Sequence, residues 1–276
     1  MIFIYKKWDS FCRKLSESEI ASIPAKEITR DTKIYTVLKH DVETDVSRAL
    51  SIARIEHKHG HRGSYYVQAY LLSDEKNISM LKEIQSMGHE VSYHYDVMDS
   101  CKGDIKQAIA EFETNKNLFE ENGFKLKTLC QHGNPIVERI GYTSNRDFFR
   151  NEKVQELYPE LSDVMVDFKT KHETEYLYFS DAGRHFQLVY DPLNNDIIKS
   201  DDKNVLYKNT DELFSALDRD GGNIISIHPH RWTASALKYV LKACLFKTIK
   251  AVAKVLIKIP LMKRIMSKYY YLAKQI

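Results

Sequence analysis

Apolar positions along the chain follow two alternating rhythms. Short β-branched and aromatic runs, bounded by glycine or polar residues, predict strands at residues 33–43 (KIYTVLKHDVE), 63–72 (GSYYVQAYLL), 89–95 (HEVSYHY), 125–135 (KLKTLCQHGNP) and 223–232 (NIISIHPHRW). Between them, helical spacing predicts helices at 45–60, 74–88 and 104–123, each closed by a glycine, and at 210–222, with Thr210 or Asp211 as cap. Residues 7–27 read as a helical lead-in broken at Pro24, and 136–200 as a less regular stretch whose EYLYFSDAGRHF and FQLVYDP segments are expected strands. Strand followed by helix, repeated, implies right-handed βαβ units and a mostly parallel α/β sheet, open or closed into a barrel.

Charge divides the chain. Residues 221–276 hold eleven Lys and Arg and no acid, whereas residues 1–220 are net negative. Lys238, Lys242, Lys247, Lys250, Lys254 and Lys258 recur at helical spacing with apolar residues between them. That pattern excludes an ordinary transmembrane span and fits a helix lying in an anionic membrane surface, with Tyr269, Tyr270 and Tyr271 at the interface, or one packed on the body of the protein. Nucleic acid is not the expected partner. Cys12, Cys101, Cys130 and Cys244 show no paired spacing, so neither a disulfide framework nor a thiolate zinc site is expected, and the short apolar start does not resemble a signal peptide. The expected location is cytoplasmic, with the tail at the inner face of a membrane.

Four predicted strands end in the same chemistry: His40, Asp41 and Glu43; His94 and Asp96; His132; His228 and His230. Ligands of parallel α/β folds gather at the carboxyl ends of strands, and all these ends point one way. Imidazoles with carboxylates suit a divalent metal, zinc first, that leaves room for water and substrate. Asp45 is better placed to cap the next helix. His89, at the other end of its strand, suits a turn hydrogen bond, and His57, His59 and His61 suit a solvated helix cap.

In their order, LKHDVE, GHEVSYHYD, QHGNP and IISIHPHRW resemble the motifs of the polysaccharide deacetylase family, over about residues 34–232. The resemblance implies a distorted (β/α) barrel of the NodB-like type for 34–232, between a lead-in (1–33) and a basic amphipathic helical tail (233–276). It also implies hydrolysis of an N-acetyl group on a sugar or oligosaccharide. Carried over residue by residue, Asp41 is base, metal ligand or both; Glu43 and His94 are ligands; and His228 is the acid. Where the family has a second histidine four residues on, this chain has Met98; His132, Asp96 or Asp99 would replace it. Asp181 and Arg184 could orient the catalytic histidine or hold a substrate anion, and His230 and Trp232 could stack on a sugar. The rival readings are a catalytically silent carbohydrate-binding relative, marked by Met98, and a phosphoesterase using Arg184 and Arg231.

Overall fold

The computed structural model describes residues 2–134, 137–170, 176–182, 185–189, 205–237 and 239–241. Nine strands form one sheet: β1 (Tyr35–Val42), β2 (Ser64–Val67), β3 (Glu90–Tyr95), β4 (Thr128–Gln131), β5 (Ser162–Asp163), β6 (Tyr176–Ser180), β7 (Phe186–Val189), β8 (Leu206–Tyr207) and β9 (Gly222–Ile227). Their spatial order is β5-β4-β3-β2-β1-β9-β6-β7-β8. Pairing is parallel except where β7 meets β6 and β8. The described helices are α1 (Tyr5–Glu17), α2 (Val46–Lys58), α3 (Glu75–Ser86), α4 (Val97–Ser100), α5 (Ile105–Glu121), α6 (Asp147–Arg150), α7 (Glu152–Leu157), α8 (Asp167–Thr170) and α9 (Thr210–Ser215), with 3-10 turns at Ala25–Glu27, Ala69–Ser73 and Pro229–Arg231. Among them none is long and apolar enough to cross a membrane.

The sheet is strongly curled. β1 and β4 are three strands apart, about 14 Å in a flat sheet, yet ligand atoms of Asp41 on β1 and Cys130 on β4 lie within 4.8 Å of each other. The enclosed face collects Val37, Tyr66, Cys130, Tyr178 and Ile224, while Leu38, Val42, Tyr65 and Tyr93 turn outward against helices. This is the period-two alternation of strands, with both faces buried, in a curled, mostly parallel sheet that agrees with the distorted barrel implied by the family resemblance.

Several boundaries differ from the sequence expectations. The lead-in helix stops at Glu17, where its apolar spacing (Trp8, Phe11, Cys12, Leu15) ends and the Ile20 N–H returns to Leu15 O at 2.9 Å. The strand expected at 63–72 ends at Val67, because a 3-10 turn over Ala69–Ser73 folds Leu71 and Leu72 into the core. Asn209, rather than Thr210 or Asp211, caps α9, accepting from Asp211 N and Glu212 N. Asp45 caps α2 as expected. Tyr239, at the start of the tail, packs on Phe3, and residues 242–276 of the expected tail helix lie outside the described residues.

Buried Asp163 ties β5 to its surroundings, accepting from the Tyr95 hydroxyl at 2.7 Å and from Met165 N and Val166 N at 2.7 and 3.0 Å. Burial, with the Asp167 charge adding to it, outweighs these bonds and pushes its carboxyl up to about 6. A carboxyl raised in the fold stabilises it fully below its unfolded pKa and loses that contribution as pH rises through the folded value. Relative to Asp163→Asn, wild-type protein is therefore expected to lose up to about 3 kcal/mol between pH 4 and pH 7. Urea midpoints measured across that range check this; a constant difference between the two proteins would disprove it.

Candidate active site

The site is built on the inward positions of β1. Lys39 and Asp41 follow Val37 on the enclosed face, and Glu43 stands just past the strand end. Lys39 is only 2% exposed, with Nζ 2.6 Å from both carboxylate oxygens of Asp41, 3.3 Å from Ser226 Oγ and 5.8 Å from the centre of the Tyr66 ring. An isolated buried ion costs several kcal/mol, so each of these charges requires the other. Burial alone would raise the Asp41 pKa, but Lys39, aided by His94 and His228, holds it well below the usual carboxylate range. Burial likewise works against the Lys39 ammonium, and Asp41 overcomes it.

Two imidazoles close over this pair. His94 Nδ1 lies 3.0 Å from the Cys130 carbonyl. A carbonyl only accepts, so Nδ1 carries the hydrogen and Nε2 keeps its lone pair. Burial pushes the His94 pKa down to about 3, so the ring is neutral at physiological pH. His132 follows β4 and is fixed by its backbone: its N–H donates to Tyr95 O at 2.7 Å and its carbonyl accepts from Asn145 Nδ2 at 2.8 Å. Its ring stands at 84° to that of His94, with Nε2 3.5 Å from Glu43 Oε1.

Glu43, His94 and His132 each offer one ligand atom, all within 4.8 Å of one another, and all three residues are buried. Two nitrogens and one oxygen, with His94 anchored through its other nitrogen, are a donor set that fits a divalent metal. Asp41, His94 and Cys130 form a second such group. It fits less well, since Asp41 is held by Lys39 and burial pushes the Cys130 thiol well up, away from the thiolate form that binds metal.

On the facing wall His228 follows β9. Its Nδ1 is 2.6 Å from Asp181 Oδ1, and its Nε2 looks across at Asp41 Oδ2 (3.8 Å) and Glu43 Oε1 (3.9 Å). The Asp181 carboxylate, 0% exposed, also accepts from His228 N (3.1 Å), Arg231 Nη1 (2.9 Å) and Trp232 Nε1 (3.1 Å). Against the upward push of burial, His228 and Arg231 lower its pKa and keep it ionised. The anion orients the imidazole and would stabilise it when protonated.

Of the residues singled out in sequence, Asp41, Glu43, His94, His132, Asp181 and His228 are brought together. His230 stands beside them, its ring 5.8 Å from that of His228 and its pKa pushed by burial to about 3. Trp232 corrects an expectation: at 0% exposure, packed against Phe3, Trp8 and Phe186, it has no face for a sugar and serves Asp181 through its N–H. Arg184 lies outside the described residues; Arg231 supplies a guanidinium to Asp181. His40 points to the opposite face of β1, its Nε2 2.9 Å from Glu56 Oε1. Asp99 is taken by Arg139 at 2.8 and 2.9 Å and by Asn145, and Met98 is buried in the core. His89 accepts from Gly63 N at 2.9 Å, on the outer side of the sheet. His61 is buried against Cys12 O rather than solvated.

Two residues went unread. Lys39 was signalled by the alternation that puts it on the Asp41 face, since a lysine inside an apolar run needs an acid beside it. Tyr70, 58% exposed and donating its hydroxyl to the Glu43 carbonyl, puts an aromatic ring on the rim; as part of an apparent strand it gave no signal.

No protein-family model and no curated protein matches the sequence. Among solved structures the chain is similar to a family 4 carbohydrate esterase from Streptomyces lividans in complex with acetate, at 16% identity over 74% of this chain and 83% of that one, TM-score 0.42. It is also similar to the peptidoglycan deacetylase PdaC from Bacillus subtilis, at 10% identity over 81% and 98%, TM-score 0.37. A third is a CE4 family pseudoenzyme from Bacillus anthracis, at 12% identity over 85% and 66%, TM-score 0.36. Overlap this loose, spanning enzymes and a pseudoenzyme, bears on neither activity nor substrate.

The buried, neutral His94 has a direct spectroscopic consequence. In metal-free protein its ring nitrogens are expected to keep the neutral, Nδ1-protonated pattern from pH 8 down to about 4. Long-range nitrogen–proton NMR reads this; a His94 titration near the ordinary histidine value would show the ring to be solvated.

Proposed function

We propose that the protein is a metal-dependent hydrolase that removes the acetyl group from the nitrogen of an N-acetylated sugar. The observation that carries this reading is the convergence, at parallel strand ends, of Glu43, His94 and His132 opposite a His228 anchored by Asp181 and facing Asp41. The order of the sequence motifs supports it. A divalent ion, zinc first, would be held by Glu43, His94 and His132 and would polarise the acetyl carbonyl and acidify water.

The chain's own groups handle the protons. Asp41, ionised beside Lys39, takes a proton as water adds to the carbonyl carbon. His228, through Nε2, gives a proton to the nitrogen as the C–N bond breaks, so that a free amine and acetate leave. Asp181 stabilises the imidazolium in the meantime. The exposed ring of Tyr70, next to Glu43, offers the apolar face on which a sugar would stack. The lysine spacing of residues 233–276 supports a sugar carried on a lipid at the inner, anionic face of a membrane, as in synthesis of a surface polysaccharide.

A silent carbohydrate-binding relative is the second reading, favoured by Met98 in the core and by Lys39 occupying Asp41. The phosphoesterase reading loses support, because Arg231 is committed to Asp181.

Zinc-reconstituted protein is expected to release acetate from N-acetylglucosamine oligomers, with kcat falling roughly 100-fold or more in both Asp41→Asn and His228→Ala. Tyr70→Ala is expected mainly to raise KM. Sugar binding without acetate release by the wild type would support the silent relative, and undiminished turnover in His228→Ala would remove its assigned role.

A further inference from the structure

The mouth of the barrel contains two candidate ligand groups that share one ring. His94 belongs both to the group with Glu43 and His132 and to the group with Asp41 and Cys130. Its Nδ1 is engaged with the Cys130 carbonyl, so a single Nε2 lone pair must serve whichever group is filled.

We infer that Lys39 is a positioning residue that divides the two carboxylates at the mouth, keeping Asp41 off the metal and leaving Glu43 as the acidic ligand. This rests on the reading of the site as a metal centre. The Lys39 ammonium lies across the Asp41 carboxylate, 2.6 Å from each oxygen, so a cation approaching Asp41 meets a like charge already in place. The lysine cannot withdraw. It is enclosed, rises from the middle of β1, contacts Ser226 Oγ at 3.3 Å and stands over Tyr66. His228 Nε2 stands about equally near both carboxylates, 3.8 Å from Asp41 and 3.9 Å from Glu43, but Glu43 also has His132 Nε2, of its own ligand group, at 3.5 Å. That imidazole can share a metal with Glu43, whereas the ammonium on Asp41 repels one.

Zinc affinity, read by competition with a chromophoric chelator, tests the division without relying on turnover. Replacing both members of the pair, Lys39→Met with Asp41→Asn, leaves no unpaired buried charge and is expected to keep zinc affinity within about threefold of wild type. Glu43→Gln is expected to lose more than the roughly 10–100-fold that an outer-shell change costs. Lys39→Met alone removes the competing cation and is expected to tighten zinc several-fold, a gain absent from the double variant; a merely structural lysine would not produce it. Should the single variant fail to fold, the double variant still decides the matter. The inference is overturned if the double variant loses zinc as Glu43→Gln does, or if folded Lys39→Met binds zinc no more tightly than wild type. Wild-type protein that binds no zinc would overturn the metal reading itself, a result distinct from either.

Discussion

An ion pair sealed inside a curled sheet is the constraint around which this protein is arranged. Lys39 and Asp41 occupy the last inward positions of β1, below the strand ends and above the apolar filling of Val37, Tyr66 and Ile224. Either charge alone would be untenable there. Together they fix a carboxylate where the barrel opens, and the other groups of the mouth are arranged around it. Asp181, a second enclosed carboxylate beside the mouth, has its own cation in Arg231. Glu43 looks instead toward imidazoles, of which His94 is neutral. The acids are thus unequal before any ligand arrives, and their inequality comes from which cation the fold supplies to each.

Much of this was legible in the sequence because strand alternation and strand ends are local properties. The run ending in KHDVE, the histidines of SYHYD and QHGNP, and the final ISIHPHRW each announced a strand end with chemistry on it. Parallel topology, itself read from alternating strands and helices, then required those ends to meet. Illegible was whatever depended on how tightly the sheet curls and on which side a flanking residue falls. His40 and Asp41 are neighbours in sequence and occupy opposite faces, so a cluster counted along the chain overstated the site by one imidazole. Trp232 read as a rim aromatic because nothing local revealed that α1 and Phe186 would cover it.

The arginine beside Asp181 illustrates the same limit. Arg184, three residues from Asp181 and paired with it in the sequence reading, lies outside the described residues. Among the described ones a guanidinium reaches Asp181 from Arg231, fifty residues away, because β6 and β9 are adjacent and Pro229 opens a tight 3-10 turn that brings Arg231 back under His228. A strand pairing thereby assembles Asp181, His228, Arg231 and Trp232 into one hydrogen-bonded unit that no spacing rule would find.

The outer face of β1 explains why the inner one can be relied upon. There Glu56, fully buried on α2, accepts from Trp8 Nε1 at 3.0 Å and from the Tyr65 hydroxyl at 2.7 Å, with His40 Nε2 2.9 Å away and the His40 ring stacked on Tyr65. Gly63 allows this closeness, since a side chain there would stand 2.5 Å from Leu38 O. A slip of β1 by one residue would turn His40 toward the mouth and drive Lys39 and Asp41 against Trp8 and Glu56. Apolar residues alone specify such a register weakly when both faces of a strand are buried, because every inward position suits the outward one equally. Polar partners on both faces remove that degeneracy: inside, the ion pair meets Ser226 Oγ and the Tyr66 ring, and outside, His40 meets Glu56. The geometry of the mouth is therefore fixed from behind, by a buried network that reaches it through the contact of Trp8 with Trp232.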